Sequence, residues 1–512
     1  MIGTIEAMRK RGGIMPVRSL PIFLAILVMG VITPYSESLA VNHISACTII
    51  DEPGYYVLDS DLLVNKTKCI EIKSSNVVFD GGNHRMVAGP FGGTYGVFVY
   101  HEAGLRNITV KDTSFENWVY GVFLRDVEKT SVYDVKTKGG FFGIYFSNVE
   151  NLVLRDSKVD DVKKIAFGLE GVYKAELYNL QAKNATENGI LLLNSEGVSI
   201  HDSVVEESGF GFYLKNSKDI IVNKCKSAFN EKFGVYIYNS ENVEVLGLQA
   251  LENELDGIKI YSSENCRIYG SEFLGNRVGI FFEGTKESKV IDNTISNSEN
   301  GIFLSNSRNN HITSNELSGN KKGIISTSSS YNLFNSNRIS GGAAISFRDT
   351  FSSTITDNWI ENAEKGIFLM GDSQRNLIYL NYIFAERNTY DEGKGNLWYS
   401  PDIKKGNYYS DYEGSDAYGD GIGDQDYLIP PKNVKDIYPL MNPLKMEKKE
   451  IEEEKEVLGE DAGGKETTTP LQSEQKMEES LVDFQSFEFL FGIAALIVIA
   501  TLIVLLIRDR IL

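Results

Sequence analysis

The chain has 512 residues, 42% of them hydrophobic, enough for a long apolar core. Its formal net charge of −19 and the absence of any basic stripe exclude a nucleic-acid partner, because phosphate binding needs a positive face. The acid excess itself is that of a solvated surface and names no partner.

Residues 1–40 read as a secretory signal. Arg9, Lys10, Arg11 and Arg18 precede an apolar run from Leu20 to Ile32, and Ser38-Leu-Ala40 supplies small residues for cleavage. Met15 is an alternative start, and the apolar run is short for a membrane span. Residues 41–100 are expected to form an N-terminal cap and a first coil. There Cys47 and Cys69 flank Pro53-Gly-Tyr-Tyr-Val-Leu, and a disulfide between them is expected to close the cap, contributing about 3 kcal/mol by loop-closure arithmetic. Asn65-Lys-Thr, Asn107-Ile-Thr and Asn184-Ala-Thr match the glycosylation acceptor pattern.

Residues 101–399 are a repeat. A glycine followed by an apolar-any-apolar triplet recurs at Gly121, Gly143, Gly189, Gly211, Gly234, Gly257, Gly279, Gly301, Gly323 and Gly366, at intervals of 22 or 23 residues or twice that. One copy has drifted near Ala166 and another near Ala344. A unit this short cannot bury its own apolar face, so copies must stack. Each copy alternates with period two and holds a second strand, such as Asn107-Ile-Thr-Val or Asn242-Val-Glu-Val, and a weaker third. Three short strands with polar turns in each copy describe one coil of a parallel β-helix of about fourteen coils. Asn148, Asn194, Asn216, Asn239 and Asn306 share one offset, continued by Ser262 and Ser328, and read as a ladder of stacked amides or as turn residues. Cys225 and Cys266 fall at different offsets and are expected to be free and buried.

In a strand the middle residue of each triplet points outward. That column reads Phe123, Tyr145, Leu191, Tyr213, Tyr236, Lys259, Phe281, Phe303, Ile325 and Phe368. Flat aromatic faces at coil spacing suit the rings of an extended glycan, and an aromatic ladder that merely stabilises the sheet is the plainer account. Asp160-Asp161, with Lys163 and Lys164 nearby, is the nearest approach to a catalytic carboxylate pair, but neighbours on a strand face opposite ways. A solvated turn is the better reading, and no active site is established.

Residues 400–444 are expected to be a C-terminal cap. Asp416, Asp420, Asp424 and Asp426 lie among Gly419, Gly421 and Gly423, a pattern that suits Ca²⁺ and equally suits an acidic Asx-turn. Residues 445–488 are acid-rich and apolar-poor, as in an unfolded stalk. Phe489 to Ile507 carries no charge and would span about 28 Å as a helix. Arg508 and Arg510 follow in the tail 508–512, so the positive-inside rule places everything before the helix outside the cell.

Three segments carry a family resemblance. They are the coil Asn300-Gly-Ile-Phe-Leu-Ser-Asn306-Ser, the opening that runs from Cys47 through Cys69-Ile-Glu-Ile to Asp80-Gly-Gly-Asn, and the closing Gly406-Asn-Tyr-Tyr-Ser-Asp-Tyr-Glu-Gly-Ser-Asp416 through Tyr438-Pro-Leu-Met. Over residues 47–442 the chain resembles NosD-type proteins of the carbohydrate-binding and sugar-hydrolase β-helix group. The resemblance implies an all-β, single-stranded, right-handed parallel β-helix with caps, and copper delivery beside an ABC transporter. Copper needs clustered His, Met or Cys. His43, His84, His101, His201 and His311 are scattered, so copper is disfavoured here. The sequence therefore points to a membrane-anchored β-helix at the cell surface, with a non-catalytic binding or envelope-structural role and a polysaccharide or glycan as partner. A polysaccharide lyase, epimerase or hydrolase and a copper-site maturation factor are the alternatives.

Overall fold

The computed structural model describes residues 41–442, apart from 91, 92 and 433. The segments read as signal, stalk, membrane helix and tail lie outside the described residues. Among the described residues no helix is long and apolar enough to cross a membrane.

Strands stack in parallel, each on its counterpart one coil away, and form a right-handed β-helix of about 16 turns. Three sheets result. The first holds the glycine-led strands, such as Asn300–Ser305 and Val278–Glu283, the second strands such as Glu241–Leu246, and the third strands such as Gln249–Leu251. A fixed register follows from the repeat: Phe281 lies over Phe303 and Ile280 over Ile302. The repeat count of fourteen falls short at the chain's ends. Val41 already pairs with Tyr55 and Thr48 with Ile70, although no Gly-led triplet marks those coils. At the other end Lys365 pairs with Arg387 in a copy whose glycine position is Asn388.

Apolar side chains fill the interior as stacks of like residues. Ile258, Ile280, Ile302, Ile324, Ile345 and Ile367 are fully buried one above the other. The conserved-looking spacing of the glycines has a steric cause. A Cβ on Gly301 would lie 2.7 Å from the Gly323 carbonyl oxygen and 2.7 Å from Leu317, and one on Gly257 would lie 2.7 Å from Phe273. Backbone and core close on that position together, so within the run of regular copies the small alanine replaces glycine, at Ala166 and Ala344, both fully buried, and larger residues stand there only in the end coils, at Cys69 and Asn388. The Cys47–Cys69 disulfide joins the first two coils at the position just before Thr48 and Ile70. Cys225 and Cys266 are free and buried.

Corners turn through left-handed residues. Asn148, Asn194, Asn216, Asn239, Ser262, Asn306 and Ser328 all have φ near +50°, a region that Asn tolerates better than most residues. Two of these amides also bond up the column, Asn216 Nδ2 to Asn194 Oδ1 at 3.2 Å and Asn239 Nδ2 to Asn216 Oδ1 at 2.9 Å. Turn and ladder are thus both present at this offset, on the outside of the helix.

The stronger ladders are internal and sit at other offsets. Asn293 N donates to Asn315 Oδ1 at 3.1 Å, Asn315 N to Asn337 Oδ1 at 3.0 Å, and Asn337 N to Asn358 Oδ1 at 3.0 Å. The column continues through Asn381 to Asn407. Each Nδ2 group meanwhile donates to a carbonyl of the preceding coil, as Asn337 does to Ile312 at 2.8 Å. Asp436 ends the column: Asn407 N donates to it at 2.8 Å, the Tyr409 hydroxyl at 3.0 Å and Tyr438 N at 2.9 Å.

Burial pushes the Asp436 carboxyl up to about 6, against the pull of those donors. The fold therefore favours its protonated form. The stabilisation is complete below the ordinary carboxylate range near 3.8 and is lost as pH rises through 6, an effect of about 3 kcal/mol at most. Unfolding followed at pH 4.5, 6 and 7.5 should show the C-terminal coils weakening as pH rises. Asp436→Asn should flatten that part of the profile, and an unchanged profile in the variant would contradict the assignment.

Candidate functional site

The outward column of the first sheet is where the repeat places it, and it is half-buried rather than open, with Leu191 and Phe368 buried. Phe98 stacks on Phe123 at 5.8 Å between centroids and Phe123 on Tyr145 at 6.1 Å. Tyr213 stacks on Tyr236 at 5.1 Å, Phe281 on Phe303 at 4.8 Å and Phe368 on Tyr390 at 5.6 Å. Gly168 and Leu191 interrupt the column between Tyr145 and Tyr213, Lys259 breaks it between Tyr236 and Phe281, and Ile325 and Ser346 break it before Phe368.

A second aromatic file runs beside the first, from the residue before each glycine. Tyr95 stacks on Tyr120 at 5.3 Å and Tyr120 on Phe142 at 4.5 Å, and Tyr120 meets Phe123 edge-on at 5.1 Å. Phe210 and Phe233 continue the file beside Tyr213 and Tyr236. Strict strand alternation hid this file, because the close-packed glycine shifts the side-chain alternation by one residue at the start of the strand. Its sequence signal is an aromatic immediately before the repeat glycine. The result is a band two rings wide over two groups of coils. Its ring faces mostly cover one another, and the Tyr145 hydroxyl donates to Glu170 at 3.0 Å. Burial raises the Tyr145, Tyr213 and Tyr236 hydroxyls, the last to about 12, so all three stay protonated and able to donate at neutral pH.

Charge enters the band at its central break. Lys259 pairs with Glu283 at 2.8 Å and lies 4.6 Å from the Phe281 ring centroid. Asp256, at the position before the glycine, is fully buried and takes a bond from Arg277 Nη2 to Oδ1 at 3.0 Å, while its Oδ2 has no partner. Burial raises its carboxyl despite the guanidinium.

The remaining sequence candidates do not assemble. Asp160 lies on the strand Lys158–Asp160 beside Lys158, and Asp161 is at a corner with φ +59°, holding the Asn184 amide at 3.0 Å. In the C-terminal cap, Asp416 accepts from Gly419 N, Asp420 N and Gly421 N, and Asp420 from Ile422 N. Asp424 takes Ala417 N, and Asp426 pairs with Lys435 at 2.9 Å. These carboxylates cap turns in different directions. Among the described residues no three His, Cys, Asp or Glu side chains gather as a metal-holding group, so the calcium reading of this loop finds no support. The Asx-turn accounts for the glycine and aspartate spacing.

Two family models match the chain. One is described as periplasmic copper-binding protein (NosD), over residues 220–414, and the other as right handed beta helix region, over residues 95–254. No curated protein matches at the significance required. Among solved structures, the A-module of a mannuronan C-5 epimerase from Azotobacter vinelandii is 16% identical over 53% of this chain and 88% of its own, with a TM-score of 0.41. A surface adhesin of Streptococcus pneumoniae is 12% identical over 63% of this chain and 84% of its own, at 0.33. The tailspike protein of Escherichia coli bacteriophage HK620, solved with a pentasaccharide, is 10% identical over 67% of this chain and 72% of its own, at 0.41. At these identities the likeness is one of fold.

Copper chemistry has few ligands to work with here. His43 pairs with Asp59, His84 with Asp61 and His201 with Glu176, in separate coils. Burial pushes the Cys225 and Cys266 thiols up to about 12, away from the thiolate form that binds metal. Titration with Cu⁺ and Cu²⁺ is expected to reveal no site tighter than about micromolar, and a tighter one would revive the maturation role. The stacked parallel strands make this chain a right-handed parallel β-helix protein, whose sequence matches the NosD family model over residues 220–414 and the right handed beta helix model over residues 95–254.

Proposed function

We propose that this chain is an extracellular, membrane-anchored β-helix that binds polysaccharide or glycan of the cell envelope without catalysing its breakdown. One observation carries the reading: the two-file aromatic band of the first sheet, with Tyr120, Phe123, Phe142 and Tyr145 in one group and Phe210, Tyr213, Phe233 and Tyr236 in the other. An aromatic patch that repeats with the coil, bordered by tyrosine hydroxyls, matches an extended repeating polymer better than a compact ligand. The anchor rests on the uncharged run Phe489 to Ile507 followed by Arg508 and Arg510.

Because the rings stack on each other, truncation has a structural effect that must be separated from a ligand effect. Tyr213→Ala with Tyr236→Ala should cost about 1–3 kcal/mol of stability and abolish retention on affinity gels of the bound polysaccharide. Tyr213→Phe with Tyr236→Phe should keep the stacking and the stability while lowering retention through the lost hydroxyls. Retention unchanged in both pairs, with folding intact, would defeat the band as a binding surface. For the anchor, the full-length chain is expected to stay with membranes through alkaline carbonate extraction and to be released when residues 489–512 are deleted. Carbonate-soluble full-length protein would refute it.

A further inference from the structure

The outer face of the first sheet differs in charge from the chain as a whole. The protein carries a net −19, yet toward its C-terminal end this face gathers unpaired bases. In the row of residues before each repeat glycine, Lys322 is followed by Ala343, Lys365 and Arg387 in successive coils. Arg348 lies on the same face, at the end of the strand Ala343–Arg348. None of the four makes an ion pair among the described residues. They are far apart in the chain and meet only through the register, so no basic run announces them.

Three features of this cluster point to an anionic ligand. First, Lys365 and Arg387 are register partners, one coil of about 4.8 Å apart. Like charges directly opposite each other in a sheet repel, and the acids nearby do not relieve them. Glu364 and Glu386, their neighbours in sequence, pair with neither cation. Glu392 accepts from Gly371 N at 2.9 Å, Asp349 from Asp372 N at 2.7 Å, and Glu299 already holds Lys321 at 3.0 Å. Second, both cations lie near an aromatic stack of the outward column. Lys365 Nζ is 5.8 Å and Arg387 Cζ 5.7 Å from the Phe368 centroid, and Phe368 stacks on Tyr390. The same pairing recurs among the rings further back, where Lys232 lies 4.6 Å from Phe210 and Lys215 5.6 Å from Tyr238, again without ion pairs among the described residues. Third, the coil between Lys322 and Lys365 presents the short side chains of Ala343 and Ser346, both only half-buried. They leave room between cations two coils, or about 10 Å, apart.

We propose that the first sheet binds an acidic polysaccharide, and that Lys322, Lys365 and Arg387 hold its carboxylates where it leaves the aromatic band. This rests on the reading of that sheet as the glycan-binding face and names the class of the glycan. A guanidinium fork beside an ammonium gives a carboxylate both paired hydrogen bonds and a point charge. The polymer supplies the countercharge that this part of the sheet lacks, and rings and cations at coil spacing meet a chain whose sugars and carboxylates also repeat.

The test is binding of the full-length chain to polygalacturonate, alginate and hyaluronan, and to polygalacturonate whose carboxylates have been reduced to alcohols. At least one uronate polymer is expected to bind about tenfold or more tighter than the reduced polymer at about 0.05 M salt, and the preference to shrink at about 0.5 M. Lys365→Gln with Arg387→Gln should lower uronate affinity about tenfold and leave the reduced polymer and the unfolding transition unchanged. Lys136→Gln with Lys224→Gln removes the same charge away from this sheet and should leave uronate binding as it is. Equal losses in the two double variants, or tighter binding of sulfated dextran or a DNA oligomer than of every uronate, would overturn the proposal. A reduced polymer held as tightly as the acid form, and lost in the Tyr213→Ala, Tyr236→Ala protein, would overturn it while the glycan-binding face stands. Binding to none of these polymers would remove both.

Discussion

Corner after corner of this solenoid leaves a backbone N–H that its own coil does not satisfy, and at the internal corners a side chain one coil further on accepts it. Asn315, Asn337, Asn358, Asn381 and Asn407 do this along one internal column, and Ser217, Ser240 and Ser263 along another. A buried N–H without a partner costs about 1–3 kcal/mol, so slipping one coil against the next by a residue would expose many such costs at once. The apolar core is less selective, since one isoleucine stacks on another in nearly the same way wherever it falls. The ladders therefore hold the register, and the register makes the outer surface a plane on which the sequence is written in rows.

The ladders also have a direction. Each N–H points toward the C-terminal end of the helix, so unsatisfied donors accumulate there. Asp436 meets them as a carboxyl, with the Tyr409 hydroxyl as its neighbour. The C-terminal cap is thus the electrostatic end of the column as well as a cover for the last coil. Burying an acid at this point is costly and shows in its raised pKa, yet an apolar side chain there would leave Asn407 N–H unbonded.

Much of this was legible in the sequence because the core and the corners obey short rules. The glycine column, the apolar triplets and the Cys47–Cys69 pair could be read directly, since each is a steric or covalent demand tied to a particular residue type. The sequence showed the outer ladder and missed the internal ones. Asn148, Asn194 and Asn216 share an offset after a strong strand and are easy to align, as left-handed corner residues on the outside. Asn315 and Asn337 follow weak three-residue strands, whose alternation is too brief to set an offset. The buried acid was illegible for a different reason. Asp256 looks like any polar residue before a glycine until its burial is known.

Register also decides which aromatic surface can meet a ligand face-on. In the band, Phe142 lies 4.5 Å from Tyr120 with planes 5° apart, so each ring spends a face on its neighbour. A polymer crossing it meets edges and hydroxyls, which favours shallow contact repeated over many coils. Phe229 stands in a corner column whose next residues are Glu252 and Gly275, so it has no aromatic neighbour there to stack upon. The same coil spacing that builds a continuous band when aromatics repeat leaves a lone, exposed ring when one aromatic is followed by a carboxylate and a glycine.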